Sequence, residues 1–245
     1  MAEMITQTSP CIEAEISGHV KVVGVQAIGK DVTVKLLIRN LTTKCKVITA
    51  DIKVCSILYT KKEINELHKE TRKIRLRGCE EKEEPLTITY AQYDGLLTAD
   101  NTIEVTVVYS YEPVEGTLII QTNVVLDNPK FEIKVKGPIQ MNKPAKAVVV
   151  FTNPLNQVVS DIVVTAEGSG LLHDPITVKG GSVKPNETIK IPLTIMPYKA
   201  GQRHLLVDVT TNKFQNAKGY TEVEVQKPVE KNSTSESASA AAPSV

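Results

Sequence analysis

Apolar and polar residues alternate with period two along most of the chain. Val32, Val34, Leu36 and Ile38 are interleaved with Thr33, Lys35 and Arg39, and Ile103, Val105, Val107 and Tyr109 with Glu104 and Thr106. Further on, Phe131/Ile133/Val135, Ile189/Ile191/Leu193/Ile195 and Leu205/Val207/Val209 repeat the pattern. Side chains of a β-strand point alternately to its two faces, so this spacing predicts strands with one face buried and one wet. Turn formers punctuate the runs at Gly29-Lys-Asp31, Asp94-Gly95, Asp100-Asn101, Glu115-Gly116, Gly137-Pro138, Asn153-Pro154, Gly180-Gly181 and Ala200-Gly201. Short strands so separated predict antiparallel sandwiches, and no amphipathic helix of useful length competes with them.

One interruption divides the pattern. Asp127-Asn128-Pro129 falls in a strand-rich region, where proline removes a ladder donor and forces its predecessor to be extended. The flanks of about 110 and about 100 residues each suit a seven-stranded sandwich. The expected fold is all-β: two consecutive immunoglobulin-like antiparallel β-sandwiches, over residues 13–127 and 128–226, with disordered termini. Residues 1–12 are expected to be flexible. The segment 227–245, KPVEKNSTSESASAAAPSV, has too little apolar surface to offset the entropy of ordering and is expected to be disordered.

Composition narrows the partners. The 245 residues are 41% hydrophobic, an ordinary globular content, and carry 29 basic against 28 acidic side chains for a net charge of +1. That balance gives no global attraction to nucleic acid or an anionic membrane, so protein partners are expected and nucleic acid is not. The longest apolar run, Ala147 to Phe151, is far short of a membrane span. Met1-Ala-Glu-Met-Ile lacks the basic and apolar regions of a secretory signal, which makes the cytoplasm the expected location. Three Asn-x-Ser/Thr sequons, at Asn40, Asn186 and Asn232, are read as chance on that ground. Cys11, Cys45, Cys55 and Cys79 form no CxxC pair or metal-ligand spacing and are read as free thiols.

The stretch Lys61–Glu84 departs from the pattern, with Lys61, Lys62, Arg72, Lys73, Arg75 and Arg77 followed by Glu80, Glu81, Glu83 and Glu84. It reads as a solvated hairpin of mixed charge, whose acidic end blunts any anion site.

Cysteine nucleophiles need a lowered pKa, commonly from a helix N-terminus, and an oriented histidine. Here the cysteines lie in a strand pattern, Cys55 within Ile52-Lys-Val-Cys-Ser-Ile-Leu58 as a small core residue, and His19, His68, His173 and His204 pair with none of them. His204 is read as lying at a strand edge near a turn. The acidic residues have no EF-hand spacing. No catalytic, cofactor-binding or metal site is expected.

The second half carries Phe131-Glu-Ile-Lys-Val135, Phe151-Thr-Asn-Pro-Leu155, Glu167-Gly-Ser-Gly-Leu171, Pro197-Tyr-Lys-Ala-Gly201-Gln-Arg-His-Leu-Leu206 and Lys213-Phe-Gln-Asn-Ala-Lys-Gly-Tyr220. In order and spacing these resemble the last domain of the transglutaminases, which crosslink glutamine to lysine. In the first half, Ile28-Gly-Lys-Asp-Val32, Leu37-Ile-Arg-Asn40, Leu97-Thr-Ala-Asp-Asn101 and, more specifically, the tyrosine-bearing Pro85-Leu-Thr-Ile-Thr-Tyr-Ala-Gln-Tyr93, taken as a hairpin, resemble the preceding domain. The resemblance spans about residues 13–226 and implies the two accessory β-domains without the catalytic core. The family's Gly-Gln-Cys-Trp turn and tryptophan-lined tunnel have no counterpart in a chain without tryptophan. The calcium sites belong to the missing core. Where nucleotide-regulated members have a phosphate-binding arginine, the matching position is Thr122, whose hydroxyl makes no bidentate phosphate contact, so nucleotide binding is not carried over.

The expected function is a non-catalytic protein-interaction or regulatory module, resembling the C-terminal domains of protein-glutamine gamma-glutamyltransferase. The face that would cover a core is expected to stay apolar. The alternative is a C-terminal fragment of a full-length calcium-dependent transglutaminase, with activity in the missing core. Adhesion or carbohydrate binding and crosslinking through Lys227 and Lys231 are weaker readings.

Overall fold

A computed structural model describes residues 14–111 and 116–228. The expected flexible start, the Glu115 end of one turn and residues 229–245 of the expected disordered tail, with Lys231 and Asn232, lie outside the described residues. Strands dominate, as the period-two pattern requires. The first sandwich is built from β1 (Ile16–Val23), β2 (Val32–Asn40), β3 (Lys46–Ile57), β4 (Glu63–Leu76), β5 (Glu81–Ile88), β6 (Thr102–Tyr111) and β7 (Gly116–Val125). The second comprises β8 (Phe131–Val135), β9 (Ile139–Gln140), β10 (Ala145–Thr152), β11 (Val159–Glu167), β12 (Ile176–Val183), β13 (Thr188–Ile195), β14 (Gly201–Thr210) and β15 (Ala217–Gln226). Sheets β1-β2-β5 and β4-β3-β6-β7 face each other in the first, and β8-β10-β13 and β12-β11-β14-β15-β9 in the second. The fold is thus two immunoglobulin-like β-sandwiches, each with its core from alternate residues. Val34, Leu36, Ile38, Ile52, Val107 and Tyr109 fill one core, and Val149, Phe151, Val164, Leu193, Leu205 and Val207 the other.

Three expectations are corrected. The charged stretch 61–84 is not a hairpin: β4 pairs with β3 in one sheet, and β5 crosses to pair with β2 in the other. Arg72 of its basic middle pairs with Glu70 at 2.5 Å, and its acidic end is partly neutralised by Lys82 on Glu84 and Lys35 on Glu83, both at 2.7 Å. Gly180-Gly181 is not a turn but a bulge inside β12, where Gly181 adopts φ +80° opposite an irregular stretch of β11. A side chain at Gly180 would meet Ile191 Cδ1 at 2.5 Å, so close packing fixes that glycine. The tyrosines after β5 form no hairpin; Tyr90–Tyr93 is one helical turn, α1, started by a capping box between Thr89 and Gln92.

The two sandwiches repeat one corner. Asn40 ends β2 and Asn153 follows β10, and both are fully buried. Asn40 Nδ2 donates to Lys44 O (2.7 Å) and Arg77 O (2.8 Å), and its Oδ1 accepts from Thr42 N–H (3.0 Å). Asn153 Nδ2 donates to Gln157 O (2.7 Å) and Val183 O (3.3 Å), and its Oδ1 accepts from Leu155 N–H (2.9 Å). Each amide thereby closes an asparagine turn and pins the facing loop. The facing loops also correspond. In Arg77-Gly-Cys-Glu80, Glu80 N–H returns to Arg77 O at 3.3 Å, and in Lys184-Pro-Asn-Glu187, Glu187 N–H returns to Lys184 O at 3.2 Å. The third residue of each is left-handed, Cys79 at φ +57° and Asn186 at φ +60°.

Candidate functional site

The junction between the sandwiches is held by several polar side-chain contacts. Its base is α1. The turn is set by Thr89 and Gln92, and it buries Tyr93 completely. Tyr93 OH donates to Lys30 O (2.6 Å) and accepts from Gly29 N–H (3.1 Å), fixing the β1–β2 loop. Burial, outweighing those two backbone bonds, pushes the phenol up to about 12, so it stays a neutral donor. Gly29 has φ +90°, and a Cβ there would lie 2.2 Å from Leu155 Cδ2. Leu155, in the turn pinned by Asn153, is buried against the bare backbone of Gly29. The Asn153-Pro-Leu155 motif therefore works as a rigid knuckle on which the first sandwich rests.

Beside it runs an ion pair. Lys213 Nζ reaches Asp94 Oδ1 at 3.0 Å and Oδ2 at 2.8 Å, and Tyr90 OH donates to Oδ1 at 2.9 Å. Burial pushes the Asp94 carboxyl up, but Lys213 and Tyr90 together hold it below its ordinary value. Lys213 is set by the preceding β14–β15 turn, in which Thr211 Oγ1 accepts from Lys213 N–H and Phe214 N–H, both at 3.1 Å. Between the sandwiches, Asn128 accepts from Asn101 Nδ2 and donates to Gln215 O, both at 3.1 Å, and Ile28 N–H bonds to Asp127 O at 3.0 Å. What remains open is a cleft of about 80 Å³ lined by Ile28, Tyr90, Tyr93, Asp94, Lys213 and Phe214, room for a few waters at most.

Several apolar side chains are exposed at the junction end of the first sandwich. Tyr59 is 84% and Val25 76% exposed, and Ile64, Leu96 and Val125 are exposed on the same end of the first sandwich. Their loops are held in place: Tyr59 N–H donates to Asp100 Oδ2 (2.9 Å), Asn65 Nδ2 to Leu96 O (2.8 Å) and Thr98 Oγ1 to Ile57 O (2.8 Å). A second, smaller apolar spot, Leu206 opposite Tyr220, lies on the outer face of the second sandwich with His204 at 3.7 Å from Glu222. His204 itself lies within β14, an interior strand, rather than at an edge.

The cysteines and histidines stay apart. Cys55 is buried in β3, and desolvation, with Glu63 and Glu66 nearby, pushes its thiol up, the opposite of what a nucleophile needs. His68, opposite Val54, bonds to Gln92 at 3.2 Å and lies 3.3 Å from Glu70. Thr122 sits on edge strand β7 opposite Val105. Among the described residues no cluster of three or more His, Cys, Asp or Glu is arranged to hold a metal ion, and no helix is long and apolar enough to cross a membrane. Sequence reasoning missed the junction because its partners are remote: Lys213 and Asp94 are 119 positions apart.

Two immunoglobulin-like sandwiches locked end to end by a buried turn define a tandem of accessory β-domains. The profile of the transglutaminase family's C-terminal ig like domain matches residues 16–112 and again 129–227, and the chain belongs to that family. It is 35% identical over 213 residues to protein-glutamine gamma-glutamyltransferase E of Mus musculus, covering 87% of this chain and 31% of that protein. It is 31% identical to protein-glutamine gamma-glutamyltransferase 6 of Homo sapiens, covering 88% of this chain and 30% of that protein. Red sea bream transglutaminase superimposes with a TM-score of 0.76 at 23% identity, over 88% of this chain and 32% of that one, a likeness of fold. The chain spans about a third of the length of the relatives it matches.

Proposed function

We propose that this chain is a non-catalytic protein-binding or regulatory module, acting in the cytoplasm, whose binding surface is the apolar collar at the domain junction. The observation that carries this reading is the exposure of Tyr59, Val25 and Leu96 on loops, and of Ile64 and Val125 at strand ends, at one end of the first sandwich. Exposed apolar side chains held on ordered loops cost solubility and are commonly retained where a partner covers them. Aromatic anchors such as Tyr59 contribute most to such contacts. Two exposed free thiols, Cys45 and Cys79, support a reducing compartment.

The test is paired surface substitution. Tyr59→Ser with Leu96→Ser should abolish recovery of specific partners from source tissue, while Leu206→Ser with Tyr220→Ser should leave them unchanged. Equal loss from both pairs, or from neither, would remove the collar from the proposal. Purified chain should incorporate no amine into a glutamine-bearing protein, with or without calcium.

A second reading rests on the span of about a third of the related enzymes' length. In it the collar packs on the remainder of a longer transglutaminase, which holds the activity. Immunodetection in source tissue with an antibody to residues 131–220 separates the two. A band near 26.8 kDa supports the module, and a much larger band alone supports the longer enzyme.

A further inference from the structure

The repeated corner holds a chemical difference between the sandwiches. In the second, the two loops pinned by Asn153 carry Val158 and, at the left-handed position, Asn186, a residue that tolerates that conformation. In the first, the matching positions carry Cys45 and Cys79, both exposed and both free thiols. Cysteine has no conformational reason to sit at φ +57°. The loops are held tightly together. Asn40 bonds to Lys44 O in one and Arg77 O in the other, and Cys79 N–H donates to Thr42 O at 2.8 Å. Cys79 Sγ lies 3.7 Å from the same carbonyl, and a Cβ on Gly78 would stand 2.1 Å from Thr43 O. The ladder rung Lys46–Leu76 places Cys45 across from Arg77 one step further on. The Arg75 guanidinium adjoins the Cys45 thiol, and that neighbour pushes the guanidinium's pKa up.

We propose that Cys45 and Cys79 form a peroxide-sensitive thiol pair, in which oxidation staples the β2–β3 loop to the β4–β5 loop. Cys45, in the loop carrying Asn40's acceptor Lys44 O, is the reacting thiol: its sulfur attacks one oxygen of a hydroperoxide, the thiol proton leaves with the other oxygen as water or an alcohol, and a sulfenic acid results. The Cys79 thiol then attacks that sulfur, expelling a second water and forming the disulfide, so two thiols lose two electrons and two protons to one peroxide. Cys55 takes no part, being buried among carboxylates. The staple would rigidify the end of the first sandwich remote from the junction.

The test uses the full chain treated with hydrogen peroxide, blocked with an alkylating agent and digested with trypsin without reduction. The expected product is intact protein lighter by two hydrogens, with Cys45-Lys46 joined to Gly78-Cys-Glu-Glu-Lys82. Cys45→Ser should yield no disulfide and leave Cys79 unoxidised at the same dose. Cys79→Ser should accumulate a dimedone-reactive sulfenic acid at Cys45. Cys55→Ser should behave as wild type. Far-ultraviolet circular dichroism and thermal unfolding verify that each variant is folded. Independent oxidation of the two thiols to sulfinic acids, or linkage of either to Cys11, to Cys55 or to a second molecule, overturns the proposal.

Discussion

Tyr93 and the two corner asparagines do work that their residue types alone do not announce. The Tyr93 hydroxyl both donates to and accepts from the β1–β2 loop, at Lys30 O and Gly29 N–H. Tyr93→Phe keeps the ring and strands both backbone groups beside a buried apolar edge. It should cost about 1–3 kcal/mol, read from the urea midpoint at unchanged slope. Asn153→Ala removes three bonds at once and empties a fully buried position, and should cost about 2–4 kcal/mol. Asn153→Asp is expected to be nearly as damaging, because a carboxylate cannot donate to Gln157 O and Val183 O. A loss below about 0.5 kcal/mol in Asn153→Ala would contradict the pinning role. The turn at Asn153-Pro154 was readable in the sequence from the chemistry of those two residues. The buried amide was not, since nothing local distinguishes an asparagine in an exposed turn from one bonded to a carbonyl 30 positions away.

At the level of elements, strands were legible because their signal is repeated every second residue, whereas connections were not. Pairing of β4 with β3 and of β5 with β2 depends on which apolar face meets which core, and the charged residues between them say nothing about that choice. The single turn Tyr90–Tyr93 is too short to show a helical period. The β14–β15 turn meets it through Lys213 and Asp94, and this contact has a predictable pH dependence. The Asp94 carboxyl is held below its ordinary 3.8, so the pair's stabilisation is present above that value and is lost as pH falls through the lower value it has in the fold. Wild type should therefore lose stability as the pH falls below about 4 relative to Asp94→Asn, which keeps an acceptor for Tyr90 and has no charge to titrate. Lys213→Met should cost about 1–3 kcal/mol at pH 7, because it leaves a partly buried carboxylate without its cation. Adding Asp94→Asn to Lys213→Met should recover part of that loss. Full additivity of the two substitutions in denaturant titrations would show that the side chains do not couple across the junction.

On the scale of the whole molecule, the two sandwiches meet through loops rather than strand faces, and their buried apolar residues join into one cluster. Such a junction is small, yet each of its parts is fixed from within its own sandwich: Leu155 by Asn153, Gly29 by Tyr93, Lys213 by the Thr211 turn. Pre-positioned groups lose little further entropy on docking, so a small contact couples two domains more firmly than its area suggests. The chain should accordingly unfold in one calorimetric transition, with the van't Hoff and calorimetric enthalpies equal. Leu155→Ala opens a cavity against Gly29 and should remove about 2–4 kcal/mol, and with Lys213→Met it should weaken the junction below the stability of either core. The double variant is then expected to show two transitions. The second sandwich, which loses its own packing at Leu155, should melt first, by roughly 8–15 °C for a domain of that size. The Tyr59 and Leu96 part of the apolar collar should bind its partner with unchanged affinity, since those loops are held by bonds within the first sandwich. A single transition retained in the double variant would mean the sandwiches are coupled by something other than the knuckle and the ion pair. Two transitions in the unaltered chain would mean the junction does not couple them at all.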